Sequence, residues 1–129
     1  SRGLGDVYKR QYQNEAEAEY WIPGAFSNET ASRVLEGTKK VVNNPNGTGY
    51  AAHRDDIILA GKTGTAEIKE SKEDTSGTEL GWFAIYTAEK DIECPILIIS
   101  MVEDVKGRGG SGYVVKKDNL VLEEWFSSH

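Results

Sequence analysis

Residues 60–69 read AGKTGTAEIK, and the fold turns on whether this segment is a strand or the loop that opens a helix. A phosphate-cradling loop has the form G-x-x-x-x-G-K-[ST] and must run into a helix, because that helix's free N–H groups hold the anion. Here the first glycine position is Asp56. Lys62 is followed by Thr63, Gly64, Thr65, Ala66, Glu67 and Ile68, with a glycine inside, β-branched residues around it and no helical apolar period. The segment therefore reads as a strand, and its Gly-Lys-Thr as the lining of a site for some other anion.

Working outward, Ile57 to Ala60 leads into this strand, and a polar stretch from Glu70 to Glu79 holding Asp74 and Gly77 reads as a connection between antiparallel strands. GWFAIYTA, residues 81–88, alternates, with Trp82, Ala84 and Tyr86 on one face and Phe83, Ile85 and Thr87 on the other. PILIISMVEDV, residues 95–105, is an almost unbroken apolar run, the pattern of a central strand covered on both faces. KGRGGSG, residues 106–112, breaks the pattern, and Tyr113 to Phe126 then carries Val114, Val121, Leu122, Trp125 and Phe126 at helical spacing. On the other side, Trp21, Ile22 and Phe26 flank Pro23-Gly24, a turn expected to be packed by its aromatics. Ser27 is placed to cap a helix from Asn28 to about Val42, with Ala31, Val34, Leu35, Thr38, Val41 and Val42 on one face and Lys39 and Lys40 in its last turn. Asn43 to Gly47 ends it, and a loop to Asp56 holds Tyr50 and His53. Helix, three-strand meander, helix is an α+β arrangement.

Composition narrows the function classes. The 129 residues suffice for one domain, and 38% hydrophobic with 28% charged residues favours a globular chain. A net charge of −6 with no basic cluster longer than two argues against nucleic acid as a partner. The single cysteine, Cys94, cannot form an internal disulfide, and two histidines are too few for a structural zinc site. Cys94 reads as a small residue beside a buried strand rather than a reactive thiol. No apolar run is long enough to cross a bilayer and no signal peptide is evident, so any targeting segment would lie outside this chain. Asp6 to Gln11, DVYKRQ, is what GATGTGTATAAGAGACAG encodes, which resembles a transposon end joined to DNA in sequencing libraries. Residues 1–11 are accordingly expected to be a non-native, adaptor-derived tail, and residues 12–129 the C-terminal portion of one incomplete domain.

A glycine-flanked KTGT on a strand, followed after a polar hairpin by GWF on the next, resembles the serine acyl-transferases that bind penicillin. The likeness runs from about Trp21 to Phe126 and includes LEGTKKVV at the end of the first helix, the GTG of residues 47–49, GKTGTAE, GWFAIY, an apolar strand with Glu103-Asp104, and a glycine-rich lead-in to the last helix. Within that superfamily it is most similar to the transpeptidase domain of class B penicillin-binding proteins. TAEIK running into GTELGWF looks especially like the low-affinity Gram-positive members. The resemblance implies a partial β-lactamase/transpeptidase-like fold and a D,D-transpeptidase that cross-links peptidoglycan stem peptides ending in D-Ala-D-Ala, is inhibited by β-lactams and uses no cofactor. It would act on the outer face of the bacterial cytoplasmic membrane, held by an N-terminal anchor absent from this chain. Lys62 would join the hydrogen-bonding network around the proton shuttle. The hydroxyls of Thr63 and Thr65 would bind the substrate carboxylate, Gly64 would admit the substrate backbone, and the Thr65 N–H would be the second oxyanion donor. Glu67, beside the motif, is a possible substrate contact or a solvated charge. An exposed edge would let a peptide pair as an added strand.

The nucleophile motif S-x-x-K and the second motif S-x-N are both missing: none of the nine serines has lysine three residues on or asparagine two residues on. In the family both precede K-T-G by a wide margin, so the chain is expected to be inactive alone and to lack the N-terminal part of its own domain. That part would supply two further strands beside PILIIS. The alternatives are a β-lactam-hydrolysing or β-lactam-sensing member of the superfamily, against which TAE after K-T-G speaks, a non-catalytic peptide-binding domain, or a plain edge strand with no site. His53 reads as solvent-facing rather than a general base. Asp55 with Asp56, and Glu103 with Asp104, are adjacent carboxylates pointing to opposite faces and hold no metal. Trp82 and Phe83 are expected in the core, or as walls of the cleft.

Overall fold

The computed structural model describes residues 22–69, 71, 77–89 and 91–128. The expected adaptor tail, Trp21 and most of the Glu70–Glu79 connection lie outside these.

Helix α1, Asn28–Asn43, starts where Ser27 accepts a 3.1 Å hydrogen bond from the Thr30 N–H, the cap that the sequence offered. It ends as Asn44 turns to extended backbone before Pro45. Its apolar face is used only at the C-terminal end. Val42 is fully buried, Leu35, Thr38 and Val41 are half-buried, and Ala31 and Val34 are exposed. Ile22 and Phe26 are also exposed, so among the described residues the turn is not packed as expected, Trp21 lying outside them. The Thr38 hydroxyl lies 3.1 Å from that of Tyr86, tying α1 to the sheet.

A short 3-10 turn, Tyr50–Ala52, precedes a three-stranded antiparallel sheet of order β1-β2-β3, with β1 at Leu59–Ile68, β2 at Thr78–Thr87 and β3 at Leu97–Val102. Helix α2, Ser111–Ser128, closes the fold. The described residues thus form the expected α+β fold: two helices and an antiparallel meander. Partners directly opposite in an antiparallel pair share a face. Thr63, Phe83 and Ser100 are on one, with Ile85, and Gly64, Trp82 and Met101 on the other. The first face is the core side, where Phe83, Ile85 and Leu59 pack with Val42, Val105 and, from α2, Val114, Val115 and Leu122, all fully buried. Gly81 shows how close this packing is. A Cβ there would lie 2.7 Å from Val105 and 2.9 Å from Val114.

Two expectations change. β3 is an edge strand among the described residues, not a central one. Its Ile98, Ser100 and Val102 face α2, while Leu97, Ile99 and Met101 are 64%, 66% and 44% exposed. Trp82 shares that uncovered face and is 41% exposed, so only Phe83 of the pair is core.

Candidate functional site

The candidate site is the KTGT segment of β1. β1 pairs with β2 at all ten of its residues and, among the described residues, with no strand on its other side. Half of its backbone hydrogen-bonding capacity along the segment is therefore open to an added strand.

Alternation along β1 splits the predicted residues between two faces. Lys62 and Gly64 stand with Trp82 and Ala84, whereas Thr63, Thr65 and Glu67 stand with Phe83 on the core side. Lys62 is exposed, and its ammonium donates to the carbonyl of Thr63. Thr63 is 7% exposed, and its hydroxyl is 2.6 Å from the hydroxyl of Thr48. Thr65 is exposed, and its Oγ1 accepts a 3.3 Å hydrogen bond from the N–H of Ser111, the first residue of α2. That donor occupies an oxygen lone pair and leaves the Thr65 hydroxyl proton free to be given elsewhere. Glu67 is exposed and paired with Lys69 at 2.5 Å, beyond the threonines toward the strand's end.

Gly64 contrasts with Gly81. A Cβ built on Gly64 meets nothing nearer than the Cβ of Trp82 at 3.6 Å, an ordinary contact, and its φ is not in the left-handed region. Neither packing nor backbone conformation demands glycine there. Its effect is to leave the strand bare between Lys62 and the Thr65 backbone.

The loop before β1 places its polar residues away from any common centre. His53 is not solvent-facing as expected. Its side chain is 25% exposed and stacks on Tyr50, with ring centroids 5.1 Å apart. Its two nitrogens sit 3.2 Å from Asn43 Oδ1 and 3.2 Å from Asp55 Oδ1, while Asn43 donates through Nδ2 to the carbonyls of Lys39 and Leu59. His53 thus braces the end of α1 against the start of β1. Arg54 forks onto Asp56 at 2.9 and 2.7 Å, and this pairing holds the Asp56 carboxyl below the usual carboxylate range. The same guanidinium lies 5.0 Å from the ring centre of Phe126 on α2. Asp55 and Asp56 are engaged separately. Cys94 is half-buried, and its carbonyl accepts from the Trp125 indole at 3.3 Å.

Sequence reasoning did not foresee Thr48 or the Ser111 N–H as partners of the two threonines. GTG was visible as a motif, but nothing in its spacing indicates which strand residue its threonine touches. The buried Asp118 on α2, bonded to Ser100, also went unforeseen.

The family described as the penicillin binding protein transpeptidase domain matches residues 6–120 of this chain. Penicillin-binding protein 3 of Bacillus subtilis strain 168 is 44% identical over 101 residues, covering 78% of this chain and 14% of that protein. The chain therefore matches only a small part of the length of this curated relative.

Proposed function

We propose, from the premise that this chain belongs to the penicillin binding protein transpeptidase domain family, that residues 12–129 are the C-terminal portion of a serine D,D-transpeptidase in which β1 forms one wall of the reaction centre. The observation that carries this reading is the edge of β1, unpaired among the described residues, with Lys62, Gly64 and Thr65 along it, bare at the one glycine of β1 that packing does not require. An acyl-donor peptide ending in D-Ala-D-Ala pairs with this edge as an added strand. The Thr65 hydroxyl, its lone pair already engaged by Ser111, gives its proton to the terminal carboxylate. Thr63 supports the same carboxylate, and Glu67 lies at the end of the peptide track. The serine that attacks the penultimate D-Ala carbonyl belongs to the preceding part of the domain. As its oxygen bonds to the carbonyl carbon, the Thr65 N–H stabilises the developing oxyanion. One such donor lowers a barrier by about 3 to 4 kcal/mol. The terminal D-Ala leaves, and the amine of an acceptor stem takes the acyl group. Lys62 supplies positive charge to the proton shuttle at this wall. A β-lactam enters the same site and acylates the same serine. Activity is assigned to the outer face of the bacterial cytoplasmic membrane, with the anchor in the preceding part of the protein.

Labelling with a fluorescent penicillin tests this. The full-length protein carrying this segment takes a covalent label, Lys62→Ala abolishes it, and the 129-residue chain alone takes none. A labelled chain would reveal a nucleophile within it, and an unlabelled full-length protein would remove the assignment.

A further inference from the structure

We propose that Thr48 is a substrate-binding residue: with Thr63 it forms a two-hydroxyl relay that presents one proton to the carboxylate of an acyl-donor peptide or a β-lactam. This rests on the reading of Lys62 to Thr65 as the carboxylate-binding segment.

The two hydroxyl oxygens are 2.6 Å apart, so one donates its proton to the other. Their surroundings settle which. Thr63 is buried, at 7% exposure, and Thr48 is exposed. If Thr48 donated, the proton left over would sit on the buried hydroxyl without an acceptor among the described residues, and a buried unmade hydrogen bond is costly. If Thr63 donates, its proton is satisfied and the spare one belongs to Thr48 on the open side. The donor that the pair offers to a ligand is therefore on Thr48, a residue of the GTG turn and not of the strand.

That turn is held in place. The Gly49 N–H donates to the Val41 carbonyl at 3.0 Å and the Gly47 N–H to the Asn44 carbonyl at 2.7 Å. A Cβ on Gly47 would fall 2.2 Å from the Val41 carbonyl oxygen, so only glycine lets the turn lie this close to the end of α1. Thr48 is thereby anchored to the helix behind the site.

The test compares a carboxylate-bearing penicillin with its methyl ester, by the second-order rate of acylation of the full-length protein carrying this segment. Thr48→Val is expected to lower the rate for the acid roughly tenfold to a hundredfold, as for a lost hydrogen bond to a charged group, while the ester rate stays put. Thr48→Ser restores the acid rate. The acid-to-ester ratio is read within each variant, so a general loss of folding does not imitate the effect, and Thr48→Ala is read the same way if the valine variant does not fold. An unchanged ratio, or equal loss on acid and ester, overturns the proposal. An unvaried protein that takes label from neither compound overturns the transpeptidase reading, and the Thr48 assignment with it.

Discussion

The Ser100 hydroxyl donates a 2.6 Å hydrogen bond to Oδ1 of Asp118, joining β3 to α2 through a carboxyl that is 3% exposed and whose Oδ2 has no partner among the described residues. Burial pushes the Asp118 carboxyl up from its ordinary range, and the Ser100 bond only partly offsets this. The folded state therefore holds the proton more tightly than the unfolded chain. The stabilisation from that proton is whole below about pH 4 and is lost as pH rises through the raised native value.

Asp118→Asn should accordingly stabilise the fold at neutral pH by about 1 kcal/mol, since it removes a buried charge with one oxygen unpaired. The gain over the unvaried chain should grow between about pH 4 and about pH 7. Thermal unfolding followed by circular dichroism across that range measures it. A gain that shrinks with rising pH would contradict the assignment.

Gly81→Ala should destabilise by about 1 to 3 kcal/mol, because its Cβ would be pressed against Val105 and Val114. Gly64→Ala, which meets only an ordinary contact, should unfold close to the unvaried midpoint. Denaturant titration of the two variants side by side checks this. Equal losses would show that the close packing of α2 on β2 is misjudged.

The isolated 129-residue chain should self-associate. Among the described residues, β3 leaves one edge unpaired and carries Leu97, Ile99 and Met101 on an uncovered face beside Trp82. Ile99→Lys should shift the population toward monomer in sedimentation velocity. A monodisperse monomer of the unvaried chain would defeat this expectation.

Thr65→Val in the full-length protein should slow acylation by a carboxylate-bearing penicillin roughly tenfold to a hundredfold, and Thr65→Ser should preserve it. The valine retains the backbone N–H proposed as an oxyanion donor, so the loss reports the hydroxyl, together with the bond that it accepts from the Ser111 N–H. Stopped-flow acylation rates with both variants decide it, and an unaffected valine variant would remove Thr65 from carboxylate binding.

Much of this architecture was legible in local pattern. β-branched residues around an internal glycine mark β1, period-two alternation marks β2, and a serine cap with helical apolar spacing marks α1. The misreadings share one cause. An apolar run states that both faces of a strand need cover, but it does not state what provides the cover or where. PILIISMV therefore reads as central, whereas among the described residues its Ile98–Ser100–Val102 side is packed, against α2, and its Leu97–Ile99–Met101 side is exposed. Trp82 and the first half of α1 are exposed for the same reason. The relation of Thr48 to Thr63 spans 15 residues through a turn, and no residue periodicity records it.

The continuous pairing of β1 with β2 has one further consequence. Because successive side chains alternate, sliding β1 by a single residue would turn the threonines outward and drive the lysine into the hydrocarbon interior. Burying that ammonium carries a heavy desolvation penalty, so the misaligned hairpin is unstable in its own right. The cation that would serve catalysis thus also proofreads the hairpin as it forms.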